Sequence, residues 1–134
     1  MRKLRYWMPR TFVILTLSFA AVPVCAGNAV PVMVGGLADF DACGGLGEVR
    51  GLNSRGDGFL AVRAGPDSQY PMIDRLYNGK QVFFCNNHGE WIGIVYGEPA
   101  QDCGVSSPIP RRKPYKGPCK SGWAHRKWLF LIAG

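Results

Sequence analysis

The chain has 134 residues, sixteen of them Lys or Arg and nine Asp or Glu, for a formal net charge of +7. Compact domains take roughly 100 to 150 residues, so this length holds one ordinary domain and excludes an architecture of several. The positive balance invites an anionic partner, but bulk charge speaks only for non-specific attraction, and nucleic acid is not the expected one.

Arg2, Lys3, Arg5 and Arg10 precede an uncharged apolar run over 12–24, and Val24-Cys25-Ala26 stands before Gly27. A basic end, an apolar middle and small closing residues form the pattern of a signal peptide over 1–26, with cleavage expected after Ala26. The run is shorter than the roughly 20 residues that span a bilayer, and no basic stop-transfer cluster follows. No stable membrane insertion is therefore expected after cleavage. An uncleaved anchor and a lipoprotein acylated at Cys25 are the competing readings; against the second, Val24 is bulkier than the small residue a lipobox prefers.

Cleavage removes four of the sixteen basic residues and none of the nine acids, leaving +3. The charge is also unevenly spread. No acid follows Asp102, whereas Arg111, Arg112, Lys113, Lys116, Lys120, Arg126 and Lys127 all do. Four cysteines remain, Cys43, Cys85, Cys103 and Cys119. An even set in an exported chain predicts two disulfides and a periplasmic or secreted location. Three pairings are open to four cysteines. The favoured one joins Cys103 to Cys119 around a single loop and leaves Cys43 with Cys85.

Residues 27–46, rich in Gly, Ala and Val without a sustained period, read as a leader, and residues 47–134 as the domain. Short β-like runs then alternate with turn residues. A first strand is expected over 48–52, closed by the turn residues of 53–58, and a second over 59–64, where Leu60 and Val62 alternate with Ala61 and Arg63. The Arg55-Gly56-Asp57 tripeptide within that closure reads as a turn and not as an adhesion motif. Asn78-Gly79 marks a tight hairpin turn, followed by strands over 81–85 and 90–96 with Asn86-Asn87-His88-Gly89 turning between them. Five prolines between Pro99 and Pro118 forbid a central strand, so 97–121 reads as a long loop. A short strand over 122–125 and an apolar tail over 128–132, expected to close the core, complete an all-β pattern.

The pieces Leu60-Ala61-Val62-Arg63-Ala64-Gly65-Pro66, Tyr70-Pro71-Met72-Ile73, Leu76-Tyr77-Asn78-Gly79-Lys80-Gln81-Val82, Gly89-Glu90-Trp91, and Gly122-Trp123-Ala124 with Trp128-Leu129 resemble the bacterial SH3 (SH3b) domain in order and spacing. Against that family the loop before the final strand is long and carries two cysteines, Trp128 stands where Tyr is typical, and Asp41-Ala42-Cys43 precedes the common core. The resemblance implies a small, partly open SH3-like barrel. It also implies a non-catalytic module that recognises cell-wall peptide or an envelope protein. No hydrolase accompanies it here, so action by binding is the expectation.

Tyr70, Tyr77, Trp91, Tyr96, Trp123 and Trp128 are candidate ring surfaces for an extended peptide, Tyr70 and Tyr77 foremost because they flank loops, with core packing as the competing role of the tryptophans. Arg111, Arg112, Lys113, Lys116 and Lys120 around Tyr115 form a basic loop able to grip carboxylates, or simply to stay solvated. The same stapled loop suggests an alternative, an inhibitor or immunity-like protein that blocks an envelope enzyme. Zinc on Cys85, His88, Cys103 and Cys119 is disfavoured by spacing and by oxidation, so no metal and no cofactor is expected. A small cell-wall hydrolase would need His88 or His125 as a base, but neither has a recognisable nucleophile or orienting partner in sequence, and no enzyme is expected.

Overall fold

The computed structural model describes residues 18, 20, 21, 28–53, 55 and 58–134. The expected signal peptide, apart from those three residues, and Gly56-Asp57 of the tripeptide lie outside the described residues. The fold is all-β and antiparallel. Its strands are β1 (Met33–Val34), β2 (Gly45–Val49), β3 (Leu60–Arg63), β4 (Met72–Leu76), β5 (Gln81–His88), β6 (Trp91–Tyr96), β7 (Lys113–Pro114), β8 (Lys120–His125) and β9 (Leu129–Ala133). A 3₁₀ turn at Arg126–Trp128 joins the last two. Seven strands form an open sheet in the order β4-β3-β8-β6-β5-β2-β9, while β1 and β7 pair as a separate ribbon.

Side chains alternate along a strand, and here both faces are covered. On β6, Ile92, Ile94 and Tyr96 enter one core, whereas Val95 enters the other with Trp91 packed against it. On β8, Ala124 joins the first core and Trp123 the second. Such a strand loses the polar alternation of a half-exposed one, which is why Trp91-Ile92-Gly93-Ile94-Val95-Tyr96 reads as an unbroken apolar run. Burying a side chain of the size of Ile94 contributes about 1.5–3 kcal/mol.

The first core is enclosed by the sheet itself, with Val49, Leu60, Val62 and Leu76 curling over from the outer strands. The second is roofed by chain from outside the sheet: Val32 and Val34 from β1 and its approach, Ala42 and Cys43, and Cys103 and Val105 from the long loop. Backbone bonds tie the roof together, Tyr115 N–H to Val32 O at 2.8 Å, Ala42 N–H to Ser107 O at 3.0 Å and Val30 N–H to Ala64 O at 2.8 Å. At Gly35 (φ 76°) a Cβ would lie 2.5 Å from the Ile109 carbonyl oxygen, so this crossing admits only glycine.

Two disulfides complete the roof, Cys43–Cys85 and Cys103–Cys119. Cys85 occupies the extra position where the β5–β6 register slips between Phe84 and Asn86. The bulge turns its sulfur toward the second core, among whose packed neighbours it is found.

Four expectations are corrected. The boundary at 46/47 separates nothing: the segment assigned as a leader supplies β1, the start of β2 and part of the second core. The long loop contains β7, whose Pro114 pairs with Met33 in a two-stranded ribbon apart from the main sheet and so never meets a central strand. β5 runs on through His88, which pairs with Trp91, moving the turn to Gly89-Glu90. Finally, only Leu129 of the apolar tail is buried, while Phe130, Leu131 and Ile132 are exposed on an edge strand.

Candidate functional site

A cleft of about 520 Å³ opens between the β4–β5 hairpin and the stapled loop. Tyr77 and Asn78 stand on the hairpin side, Gln101, Pro118 and Cys119 on the loop side, with Tyr96 between them. The hairpin tip is pinned by a reciprocal pair: Asn78 Nδ2 donates to Leu52 O and Leu52 N–H to Asn78 Oδ1, both at 3.0 Å. The loop wall is held by the Cys103–Cys119 disulfide and by Tyr115, whose hydroxyl donates to Cys103 O at 2.8 Å and accepts from Cys119 N–H at 3.1 Å. Lys80 Nζ donates to Gly97 O, bridging the two walls.

Charges of both signs line the cleft. Tyr96 Oη donates to Asp74 Oδ2 at 3.0 Å, and Lys120 Nζ reaches the same oxygen at 3.1 Å. Partial burial alone would raise the Asp74 carboxyl. The Arg75 backbone N–H, then Lys120 and the Tyr96 hydroxyl, more than offset it and hold Asp74 below its ordinary value. Burial, reinforced by the Asp74 carboxylate, pushes the Tyr96 phenol well above its usual range, so it remains a donor. The arrangement offers an exposed ring at Tyr77, an oriented carboxylate, and ammonium groups at Lys80 and Lys120. An adjoining hollow of about 460 Å³ shares Lys80, Tyr96, Gly97, Glu98 and Gln101 and prolongs the groove toward Phe83 and Leu46.

Of the residues expected to bind, Tyr77, Tyr96 and Lys120 line this cleft. Tyr70 lies elsewhere, half-buried, its ring lying where a Cβ on Gly65 would come within 2.5 Å. Its carbonyl accepts from Arg63 Nη1 at 3.0 Å. Trp91 is half-buried and meets the His125 ring edge-on at 5.5 Å. Trp123 is corrected outright: it is 2% exposed, and its indole N–H donates to Val30 O at 2.8 Å, which makes it a core residue with no face for a ligand. Tyr115 acts as the internal tie described above. Arg111, Arg112 and Lys113 are exposed beside or on β7, away from the cleft lining. Three of the sulfurs in the zinc alternative, Cys85, Cys103 and Cys119, are bonded in disulfides. His125 Nδ1 accepts from Lys127 N–H at 3.2 Å.

Sequence reasoning missed Asp74 and Gln101 as cleft residues, and it placed Lys120 in the basic loop without its partner Asp74. Asp74 and Lys120 are 46 positions apart and meet only through the strand order β4-β3-β8. Among the described residues, no helix is long and apolar enough to cross a membrane. Set against known proteins, the chain matches no family model, no curated protein and no solved structure.

Proposed function

We propose that the chain is an exported, non-catalytic binding module of the bacterial SH3 kind, acting in the periplasm or after secretion, and that it holds a cell-wall peptide in the cleft between β4–β5 and the stapled loop. The observation that carries this reading is the cleft itself. Its volume falls within the roughly 300–1,000 Å³ of ligand pockets. An exposed ring, a fixed carboxylate and two ammonium groups suit a peptide bearing both amines and carboxylates.

The family part of the proposal is supported by where the resembling pieces fall. Leu60–Arg63 is β3, Gln81 opens β5, Trp91 opens β6, Trp123 lies in β8 and Leu129 opens β9. The two disulfides support export, because such bonds persist in oxidising compartments. Purified cell wall is expected to sediment the protein, and Tyr77→Ala with Lys120→Ala to weaken retention by about tenfold or more. Wall that retains nothing, or retains the double variant equally, overturns the reading.

A second reading, an inhibitor of an envelope enzyme, is favoured by the display of Arg111 and Arg112 just before β7 and of Lys113 on it, within the loop closed by the Cys103–Cys119 disulfide. Preordered loops lose less entropy on docking. It predicts an envelope protein cross-linked to the wild type and lost with Arg111→Ala and Arg112→Ala.

A further inference from the structure

The two edges of the sheet differ in how they are guarded. Exposed edge strands are templates for pairing, and proteins blunt them with charge, proline or bulges. β4 carries Asp74 and Arg75 and follows Pro71. β9 is Leu-Phe-Leu-Ile-Ala, without a charge or a proline, and among the described residues no strand pairs with its outer edge. Phe130, Leu131 and Ile132 are 45%, 63% and 39% exposed. Its one guard is a register slip: Gly47 pairs with Leu131 and Leu46 with Ala133, leaving Ile132 as an extra residue. The regular stretch is therefore Leu129–Leu131, too short for backbone bonds alone to hold a partner.

Charge at the two ends of β9 identifies that partner. Before it lie Arg126 and Lys127, both exposed. Beside its far end, Ala133 and Gly134 share a hollow of about 490 Å³ with Asp39, Phe40 and Asp41. Phe40 is 66% exposed, and among the described residues none of these four charges is in an ion pair. A strand laid antiparallel on β9 thus meets apolar side chains in the middle, acids at one end and bases at the other. β9 itself has this distribution, reversed.

We propose that β9 is a self-association edge: two copies pair antiparallel through β9 about a two-fold axis near Leu131, and the Arg126-Lys127 turn of each enters the Asp39-Phe40-Asp41 hollow of the other. An isologous contact of this kind closes on itself and uses up the β9 edge of both copies, leaving only the guarded β4 edges. The cleft of the proposed function is lined by Asp74, Arg75 and Leu76 of β4 and by no residue of β9, so substitutions at Leu131, Lys127 and Asp39 leave its lining intact.

Sedimentation equilibrium of the full mature chain, diluted from ~100 μM, tests it. A concentration-dependent dimer is expected. Leu131→Lys sets two like charges against each other at the axis and should weaken the dimer at least ~100-fold. Far-UV circular dichroism and intact disulfides verify that this exposed substitution leaves the fold in place. Lys127→Glu and Asp39→Lys should each weaken association about tenfold, and their combination in one chain should restore it. A monomer at every concentration overturns the proposal, including one whose β9 captures an unrelated extended peptide. So does a dimer indifferent to Leu131→Lys, or charge swaps that fail to rescue each other.

Discussion

The two faces of the seven-stranded sheet are closed in opposite ways. The first core is built from neighbours in the sheet, and its strands β3 to β6 follow one another through short connections. The second is roofed by segments around residues 30–43 and 103–119, and brought together by a two-residue ribbon and two sulfur bridges. A face covered by local hairpins needs no covalent help. A face covered by two distant, weakly patterned segments must offset the entropy of ordering them, and closing their loops in the unfolded chain lowers that cost.

The largest effect should come from removing both bridges. Replacing all four cysteines by serine is expected to cost about 7 kcal/mol in the chain-entropy treatment, comparable to the entire net stability of a small domain. Urea titration followed by tryptophan fluorescence measures it; a midpoint unchanged by the substitutions would mean that the roof holds itself. Next come single core truncations. Trp123→Ala should cost about 4 kcal/mol and Ile94→Ala about 3 kcal/mol. Hydrogen exchange separates them: Trp123→Ala should deprotect the Tyr115 and Cys43 amides of the roof first, whereas Ile94→Ala should loosen the sheet as a whole. Equal patterns would erase the distinction between the faces.

That distinction also marks what could be read from the sequence. β3, β5, β6 and β8 were legible because turn residues bound them and their runs are β-branched or aromatic. The sequence left three disulfide pairings open and favoured, by loop bracketing, the one the structure has. The roof was not legible: β1 and β7 have two residues each, too few to show a period, and they pair across about 80 positions. Trp123 was offered as a ligand surface since composition does not say which side of a strand faces a roof. Phe130 to Ile132 were expected inside for the converse reason, because apolar character does not reveal that a strand lies at an edge. In the cleft, Tyr77 on a recognisable hairpin, Tyr96 in an aromatic-rich strand and Lys120 in the basic run were legible. The Asp74–Lys120 pair depends on strand order.

Smaller effects probe the cleft, where the two cores meet the solvent. Tyr96→Phe removes the hydroxyl that reaches Asp74 and should cost about 1 kcal/mol in thermal or urea unfolding. Asp74→Asn should cost less than about 1 kcal/mol at neutral pH, since the Lys120 side chain of the pair is 72% exposed. Its pH dependence has a definite sign. The Asp74 pKa is lower in the folded protein than its ordinary 3.8, so its contribution is present above that value and is lost as pH falls through the lowered folded pKa. Wild type and Asp74→Asn should therefore converge in stability in strong acid. A gap that widens there would contradict the hydrogen-bonded carboxylate.

The most direct test of a binding cleft walled by the stapled loop is a titration of the isotope-labelled protein with soluble cell-wall peptide, read by amide chemical shifts. Movement confined to Tyr77, Tyr96, Gly97 and Lys120, abolished when Cys103 and Cys119 are both serine, is the predicted result. Shifts centred on Arg111 to Tyr115, or none at saturating peptide, would contradict it.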